Sequence, residues 1–397
     1  MSYQLNIVGG GMVGASLALG LQDCARASGW TIRLIEAQPP AEGGWQPSYD
    51  NRSTALSHGS RRLFERLGIW TELARRAEPI RQIHVSDRGH PGSARMHAED
   101  EGVPALGYIV ENAWLGEVLL GNLDQQAIEW CAPARVARAQ AQPGGYRLDL
   151  QVADGARQLD SDLLVIADGG RSGLLDQLGI HRKINPYQQV AVIANVTTAQ
   201  GHAGVAYERF TETGPLALLP LSGQRSALVW TLAVDVAAEV AALPDDAFLE
   251  RLQAAFGFRM GALTQVGERA SYPLSLIEAE EQVRSHLVVL GNAAHSLHPI
   301  AGQGFNLSLR DAMALADALS RAQRDGLHPG SLAVLQQYLD GQRGDQMATV
   351  AFSHYLTQLF SNRNPLLVVG RNTGLLAMDL LPPLKTRLAR QGMGLRG

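Results

Sequence analysis

The sequence predicts an α/β fold in two lobes, a parallel helix-flanked sheet and an antiparallel sheet, followed by a helical C-terminal segment. Three observations lead to it. A strand, a glycine turn, a helix and a second strand follow one another over residues 5–35. Two later apolar runs end in Asp168-Gly169 and in Gly291-Asn292, as parallel strands do where they open toward a ligand. Between those runs, over residues 188–234, the pattern changes to short alternating segments separated by Gly, Pro and Ser-Gly turns, which marks antiparallel pairing.

Length and composition set the frame. A chain of 397 residues, 46% hydrophobic and 18% charged, is long enough for two lobes with sizeable cores and too apolar for disorder. A formal net charge of -4 gives no basic face for nucleic acid. The two cysteines, Cys24 and Cys131, do not make a disulfide framework, so a reducing cytoplasm is the expected location. "MSYQLNIVGGG" runs directly into the first strand without the charged and apolar regions of a secretory signal. Apolar runs elsewhere are broken by Asn, Arg, Asp or Pro before reaching the roughly 18–20 residues of a membrane span.

In the first unit, residues 5–8 are an apolar strand that opens into Gly9-Gly10-Gly11-Met12-Val13-Gly14, and residues 15–27 read as a helix closed by Gly29. Thr31 begins a second strand that ends at Glu36. This order is that of a dinucleotide-binding unit. Gly9 permits the turn, Gly11 lets a pyrophosphate approach the backbone, and Gly14 lets the helix pack closely. The helix start offers free N–H groups to phosphate, and Glu36 is placed to accept from ribose hydroxyls. A tight structural βα turn is the alternative, and the motif leaves nicotinamide and flavin dinucleotides both open.

Three later stretches add to this. Residues 50–70 carry Leu56, Leu63, Phe64 and Leu67 at helical spacing, with Arg52 just before them. In "DLLVIADGG" the strand ends at Asp168-Gly169, either at a ligand edge or in a plain Asp-Gly turn. In "LGNAAHSLHPIAGQGFNLSLRDA", Pro299 precedes Gly302-Gln303-Gly304, and residues 305–324 read as helix. A second bare helix start suits the ring edge of a flavin that gains negative charge on reduction, with Asn292 bonding the ribityl chain. His295 and His298 flank a proline turn, where histidine is more often a structural hydrogen-bonder.

Gly9-x-Gly11-x-x-Gly14, Ala167-Asp168-Gly169 and Gly291-Asn292 with His298-Pro299-x-x-Gly302-Gln303-Gly304-x-Asn306 resemble the three fingerprints of the flavin-dependent aromatic hydroxylases. "HPIAGQGFNLSLRD" is similar to the signature of the ubiquinone-biosynthesis hydroxylases, and the likeness continues through "HVSDRG", "AVIANV", "ERFTETGPLALLP" and "NPLLVVGRNTGL". Within that family it points toward the hydroxylases of 2-polyprenyl-6-methoxyphenol. The resemblance implies a Rossmann-like FAD-binding domain of aromatic hydroxylase type. It also implies an antiparallel substrate domain and FAD contacts at Gly9, Gly11, Gly14, Glu36, Arg52, Asn112, Asp168, Gly169, Asn292, Pro299, Gly302, Gln303, Gly304 and Asn306. Asn292 and Ser308 stand where the wider family usually has Asp and Gly, and Leu175 where many relatives carry Arg. The Asn292 carbonyl still accepts a ribityl bond but carries no charge, and we read it as a subgroup mark because the methoxyphenol hydroxylases resemble this chain there too.

The implied activity is hydroxylation of a polyprenylated phenol by O2 through a flavin C4a-hydroperoxide, with NAD(P)H or another donor as reductant and no metal. Leu218, Pro220 and Pro299 are the expected pocket walls, and a single essential acid or base need not exist. Another ring hydroxylase of the same pathway, a flavin oxidase or dehydrogenase, and a non-catalytic flavin-binding subunit share the same cradle. The expected division is a FAD-binding domain over 1–82, 97–182 and 273–345, a strand crossing to the substrate domain at 83–96, a substrate sheet at 183–272, and a helical C-terminal segment at 346–397. That last segment interleaves Arg363, Arg371, Lys385, Arg387, Arg390 and Arg396 with Leu366, Leu367, Val368, Leu375, Leu376, Met378, Leu380, Leu381 and Leu384. Such a pattern suits either a peripheral membrane surface or a partner in a ubiquinone-biosynthesis complex. The alternative is a terminal helix packed on the FAD-binding domain.

Overall fold

The computed structural model describes residues 2–38, 52–361 and 364–395. Its first lobe is built on a six-stranded sheet in the order Val283–Arg284, Leu287–Val289, Leu163–Ile166, Gln4–Val8, Thr31–Ile35, Ile128–Cys131. The strands run parallel apart from the edge strand Val283–Arg284. Leu163–Ile166 and Leu287–Val289 are buried at every position, as expected for strands covered on both faces, here by helices on one and by a second sheet, within residues 134–161, on the other. Register decides where the site lies: Val8 pairs with Ile35 and with Ile166, and Ile166 with Val289. The segments that follow these residues therefore leave the sheet along one edge.

The helix Met12–Ser28 packs on the long helix Gln303–Arg324, burying Leu17, Leu21, Leu309, Met313 and Leu319 in the main core. Gly29, in the left-handed region at φ 68°, closes the first helix with its N–H on the Ala25 carbonyl.

The second lobe is a nine-stranded sheet in which Ala270–Ala279, Arg182–Thr198, Arg225–Ala233, Gly214–Pro220 and Val205–Thr211 are antiparallel neighbours. Gln82–Asp87 then joins it from the first part of the chain, parallel to Val205–Thr211, and Ser93–His97 pairs beyond it. The expected helix Asp245–Phe256 covers one face, packing Phe248, Leu252 and Phe256 with Leu218, Leu228 and Trp230.

Two segments depart from expectation. Residues 53–57 form a strand, Ser53–Ser57, rather than the start of the helix, which runs only over His58–Arg66. Leu56 is buried because this strand pairs with Gly107–Glu111, and the Ser57 hydroxyl caps the helix by accepting from Ser60 N at 3.1 Å. A separate three-stranded sheet, Ala134–Gln142, Gly145–Val152 and Gly155–Ser161, adds to the first lobe. Its hairpins turn at Pro143-Gly144 and at Asp154-Gly155.

Three helices, Leu332–Phe360, Pro365–Leu380 and Pro382–Gly392, form the C-terminal segment. Pro365 and Pro382 begin helices, where the missing N–H costs nothing. The segment folds back onto both lobes. Arg371, 6% exposed, makes a two-pronged pair with buried Asp87 at 2.8 and 3.2 Å. Phe360 stacks on Phe210 at 3.7 Å between ring centroids, and the Met393 carbonyl accepts from Gly59 N at 2.8 Å. Among the described residues no helix is long and apolar enough to cross a membrane.

Candidate active site

The sheet edge opens into a cavity of about 780 Å³. All the residues expected at the cofactor except Gly14 and Asn306 line it, although they come from widely separated parts of the chain. At the first turn, Gly9 has φ +107°, and a Cβ there would lie 2.5 Å from the Ala167 carbonyl oxygen. Gly14 lies behind the wall, where a Cβ would collide with the Gly9 carbonyl. Its role is therefore to seat the helix against the turn. Glu36 holds the same loop, Oε2 accepting from Gly10 N at 2.8 Å and Oε1 from Gln38 N at 3.0 Å. Glu36 also lines the cavity, and each carboxylate oxygen has a further lone pair beyond these bonds.

Asp168 is similar. Its two oxygens accept from Gly170 N and Ser172 N, each at 2.8 Å. The Asp-Gly turn is present, and Asp168 and Gly169 line the cavity. Asn112 lies at the start of the helix Asn112–Gly121, where its Oδ1 accepts from Thr54 Oγ1 at 2.7 Å. Arg52 lies over the Tyr272 ring at 5.0 Å, a cation–π placement that brings it from the first lobe to the second.

The second glycine turn is built differently on its two sides. Gly302 is the N-cap of the long helix at φ +60°, and a Cβ would stand 2.7 Å from Ala55 Cβ. Gly304, the second residue of this helix, would present a Cβ to open space, with nothing within 4 Å. Asn306 explains why this start is rigid. Its Oδ1 accepts from Ser57 N and Ser60 Oγ, and its Nδ2 donates to the Ala55 and Gly302 carbonyls, at 2.6–2.8 Å. With its bonds made to protein and 1% exposure, it positions the turn. Ser308 Oγ bonds the Gly304 carbonyl at 3.1 Å and lines the cavity. Gln303 Nε2 reaches the Gly392 carbonyl at 3.2 Å, tying the turn to the last helix. Asn292 is exposed to the cavity beside Gly291, itself at φ +65°. Leu175 is plain core, 2% exposed.

The two histidines are structural. His295 Nε2 bonds Asp311 Oδ2 at 2.8 Å, and His298 Nδ1 accepts from Ile300 N at 3.2 Å. Both are buried outside the cavity wall, and burial depresses His298 to about 4.

Away from the glycine turns the cavity becomes apolar. Pro299 lines it as expected, but Leu218 and Pro220 do not. On Gly214–Pro220 it is Pro215, Ala217 and Leu219 that face the cavity, whereas Leu216 and Leu218 enter the core beneath. The sequence showed the alternation but not its phase, and one residue of offset exchanges the faces. The opposite wall comes from the C-terminal helices, with Phe352, Leu356, Phe360, Leu375, Met378, Leu388 and Met393. Leu375 and Met378, which the sequence interleaves with basic residues, face inward, and Arg371 anchors their helix to Asp87. One ionisable group on the sheet wall, Glu208, was missed altogether. It lies in "VAYERFT", where nothing local distinguishes it from a solvent-facing residue.

The profile of the FAD binding domain family matches residues 2–339. Ubiquinone hydroxylase UbiL of Rhodospirillum rubrum is 36% identical over 98% of this chain and 89% of its own. The 3-demethoxyubiquinol 3-hydroxylase of Escherichia coli is 31% identical over 99% and 98%, respectively. The human ubiquinone biosynthesis monooxygenase COQ6, mitochondrial, is 29% identical over 97% and 91%. Among solved structures, p-nitrophenol 4-monooxygenase PnpA of Pseudomonas putida superposes with a TM-score of 0.82 over 100% of this chain and 98% of that one, at 17% identity, which speaks for the fold. Fold, cradle and relatives together define an FAD-dependent monooxygenase of the aromatic hydroxylase type. Within that class, the chain belongs to the flavin-dependent hydroxylases of ubiquinone biosynthesis.

Proposed function

We propose that this enzyme hydroxylates the ring of a polyprenylated phenol, with 2-polyprenyl-6-methoxyphenol as the substrate, using O2 and NAD(P)H. The observation that carries the reading is the continuity of one cavity, from turns bare enough to hold FAD to an apolar wall built by the sheet and the C-terminal helices. The residues present fit the cofactor: Gly304 leaves open space at a helix start, and Asn292 and Asp168 face the same volume. Bound there, FAD supplies the reductive activation of O2. The protein's part is to hold the ring edge at the helix start beside Gly304, to bind the substrate ring against the sheet, and to exclude water with the apolar wall. Residues 1–82, 97–182 and 273–345 would bind the cofactor, 83–96 and 183–272 the substrate, and 346–397 would close the site.

The docking reading for the C-terminus rests on the outer face of Pro365–Leu380. Leu366 and Leu380 are 82% and 78% exposed there, and Val369 is exposed too. Arg371 belongs to the interior, and Lys385 and Arg390 lie near Asp100 and Glu101 at 3.5 and 3.9 Å. Arg363 and Arg396 lie outside the described residues. An anionic membrane surface or a membrane-bound partner of the pathway would cover this face, next to the cavity that takes a lipid-borne substrate.

The deciding experiment supplies the holoenzyme with 2-polyprenyl-6-methoxyphenol, NAD(P)H and O2, and follows product by mass. One hydroxylated ring per reductant consumed is expected. Peroxide without hydroxylated product would point to an oxidase, and no turnover with any prenylated phenol would point to a non-catalytic subunit.

A further inference from the structure

The sheet wall carries an unusual residue. Strand register places Val85, Glu208, Ala217, Val229 and Ile193 in one row across four pairings, and all five line the cavity. Every member is apolar except Glu208. Along its own strand it is flanked on the same face by Ala206 and Phe210, which also line the cavity. The small residues Ala206, Ala217 and Ala227 line the cavity on the same wall as the carboxyl. Among the described residues no side chain is bonded to Glu208. Asp87 shares its face, next to Phe210, and its charge is met by Arg371. His84, Arg95 and Arg209 alternate onto the other face. The wall supplied by the C-terminal helices is apolar, and Arg52 is held over Tyr272.

A lone, half-buried carboxyl on an apolar wall does not serve stability, because an acid partly withdrawn from water without a partner is costly. Its presence calls for a ligand that bonds to it. We propose that Glu208 receives the phenol hydroxyl of the substrate, accepting its hydrogen bond and then its proton as the ring is attacked. This rests on the phenol-hydroxylase reading above. In the step, the phenol O–H bond breaks and a carboxyl O–H bond forms. The electron pair stays on the phenol oxygen and raises the nucleophilicity of the ring carbons ortho and para to it. Burial lifts the Glu208 carboxyl to about 7, which supports the assignment: a base near neutrality is ionised at working pH and strong enough to draw on a phenol near 10. About three units still separate the two, so the proton stays on the phenol in the resting complex and moves only as the ring loses electron density.

The test measures binding of a short-chain 2-prenyl-6-methoxyphenol and of its O-methyl ether to the FAD-loaded enzyme at pH 8, by calorimetry, in wild type, Glu208→Gln and Glu208→Asp. Wild type should prefer the phenol by roughly tenfold or more, as a hydrogen bond to a charged acceptor provides. Glu208→Gln should lose most of that preference while keeping its FAD and thermal stability, and Glu208→Asp should recover part of it. In turnover, wild-type kcat/KM should rise as pH passes about 7, and Glu208→Gln should lack that limb. An undiminished preference in Glu208→Gln, or an unaltered pH limb, overturns the assignment and leaves the substrate class standing. Failure of both compounds to bind wild type overturns the substrate class and this assignment with it.

Discussion

Gly304 offers the sharpest test of where the flavin ring lies, because the cavity and the fold make opposite demands on it. It is the second residue of Gln303–Arg324, and a Cβ there meets nothing within 4 Å. For the apoprotein, Gly304→Ala therefore removes a flexible residue from a helix at no steric cost, which raises stability by up to about 1 kcal/mol. For the holoenzyme the same methyl, and more so the branched side chain of Gly304→Val, occupies the space through which backbone N–H groups reach the ring. Losing two such bonds, at about 1–1.5 kcal/mol each, weakens FAD binding by roughly 30- to 150-fold. Apo and holo melting temperatures and a fluorescence titration with FAD read both effects. The expected pattern is an apoprotein as stable as wild type or more so, with a Kd for FAD raised by that factor. Gly302→Ala supplies the contrast. With φ +60° and Ala55 Cβ at 2.7 Å, it should destabilise the apoprotein itself by about 1–2 kcal/mol or more. If Gly304→Val keeps both wild-type affinity and activity, the ring does not lie on this helix start.

Other outcomes are equally specific. Denatured enzyme should release FAD rather than FMN or NAD, and release of no flavin after FAD loading would contradict the cradle. Asn292→Asp adds a negative charge on the cavity wall, so FAD should stay bound with a lowered midpoint potential in a spectroelectrochemical titration; an unchanged potential would place Asn292 away from the ring. Arg371→Met leaves Asp87 buried without its cation and should cost about 3 kcal/mol or more, with faster proteolysis of the C-terminal helices; an unshifted melting temperature would show that the tail is held by its apolar contacts alone. His84 and His298 are both pushed down to about 4 by burial. Because the unfolded chain binds their protons first, the stability they confer is complete above about pH 6.5 and is lost as pH falls toward 4, by up to about 3 kcal/mol for each group. His84→Gln should flatten denaturation midpoints over that window, and an unchanged slope would refute the assignment. Flotation on anionic liposomes of the full chain against a Leu366→Ser, Leu380→Ser variant tests the docking face; equal flotation would remove the lipid reading.

The chain by itself determined the strand–turn–helix core of the first lobe and the glycine turns that line one side of the cavity. Gly9, Glu36, Asp168 and Gly302 stand beside short apolar runs, and a glycine turn after a buried strand has few conformations open to it. Local sequence therefore specified local geometry, and the parallel register brought four strand ends to one edge. The helix Asp245–Phe256 was legible for the same reason: its apolar spacing needs no partner to be read. The substrate side was not. Whether Leu218 or Leu219 faces the cavity depends on which face of the strand the helix Asp245–Phe256 covers, and alternation is the same for both phases. Leu56 fell in a strand because Gly107–Glu111, fifty residues on, pairs with it. The inward turn of Leu375 and Met378 is fixed by a buried ion pair to Asp87, nearly three hundred residues away in sequence. Glu208 reads as an ordinary surface acid until five strands are set side by side, and only that assembly places it half-buried on an apolar cavity wall. Short-range sterics wrote the cradle into the sequence, whereas burial, which is a property of the packed molecule, decided which residues form the pocket.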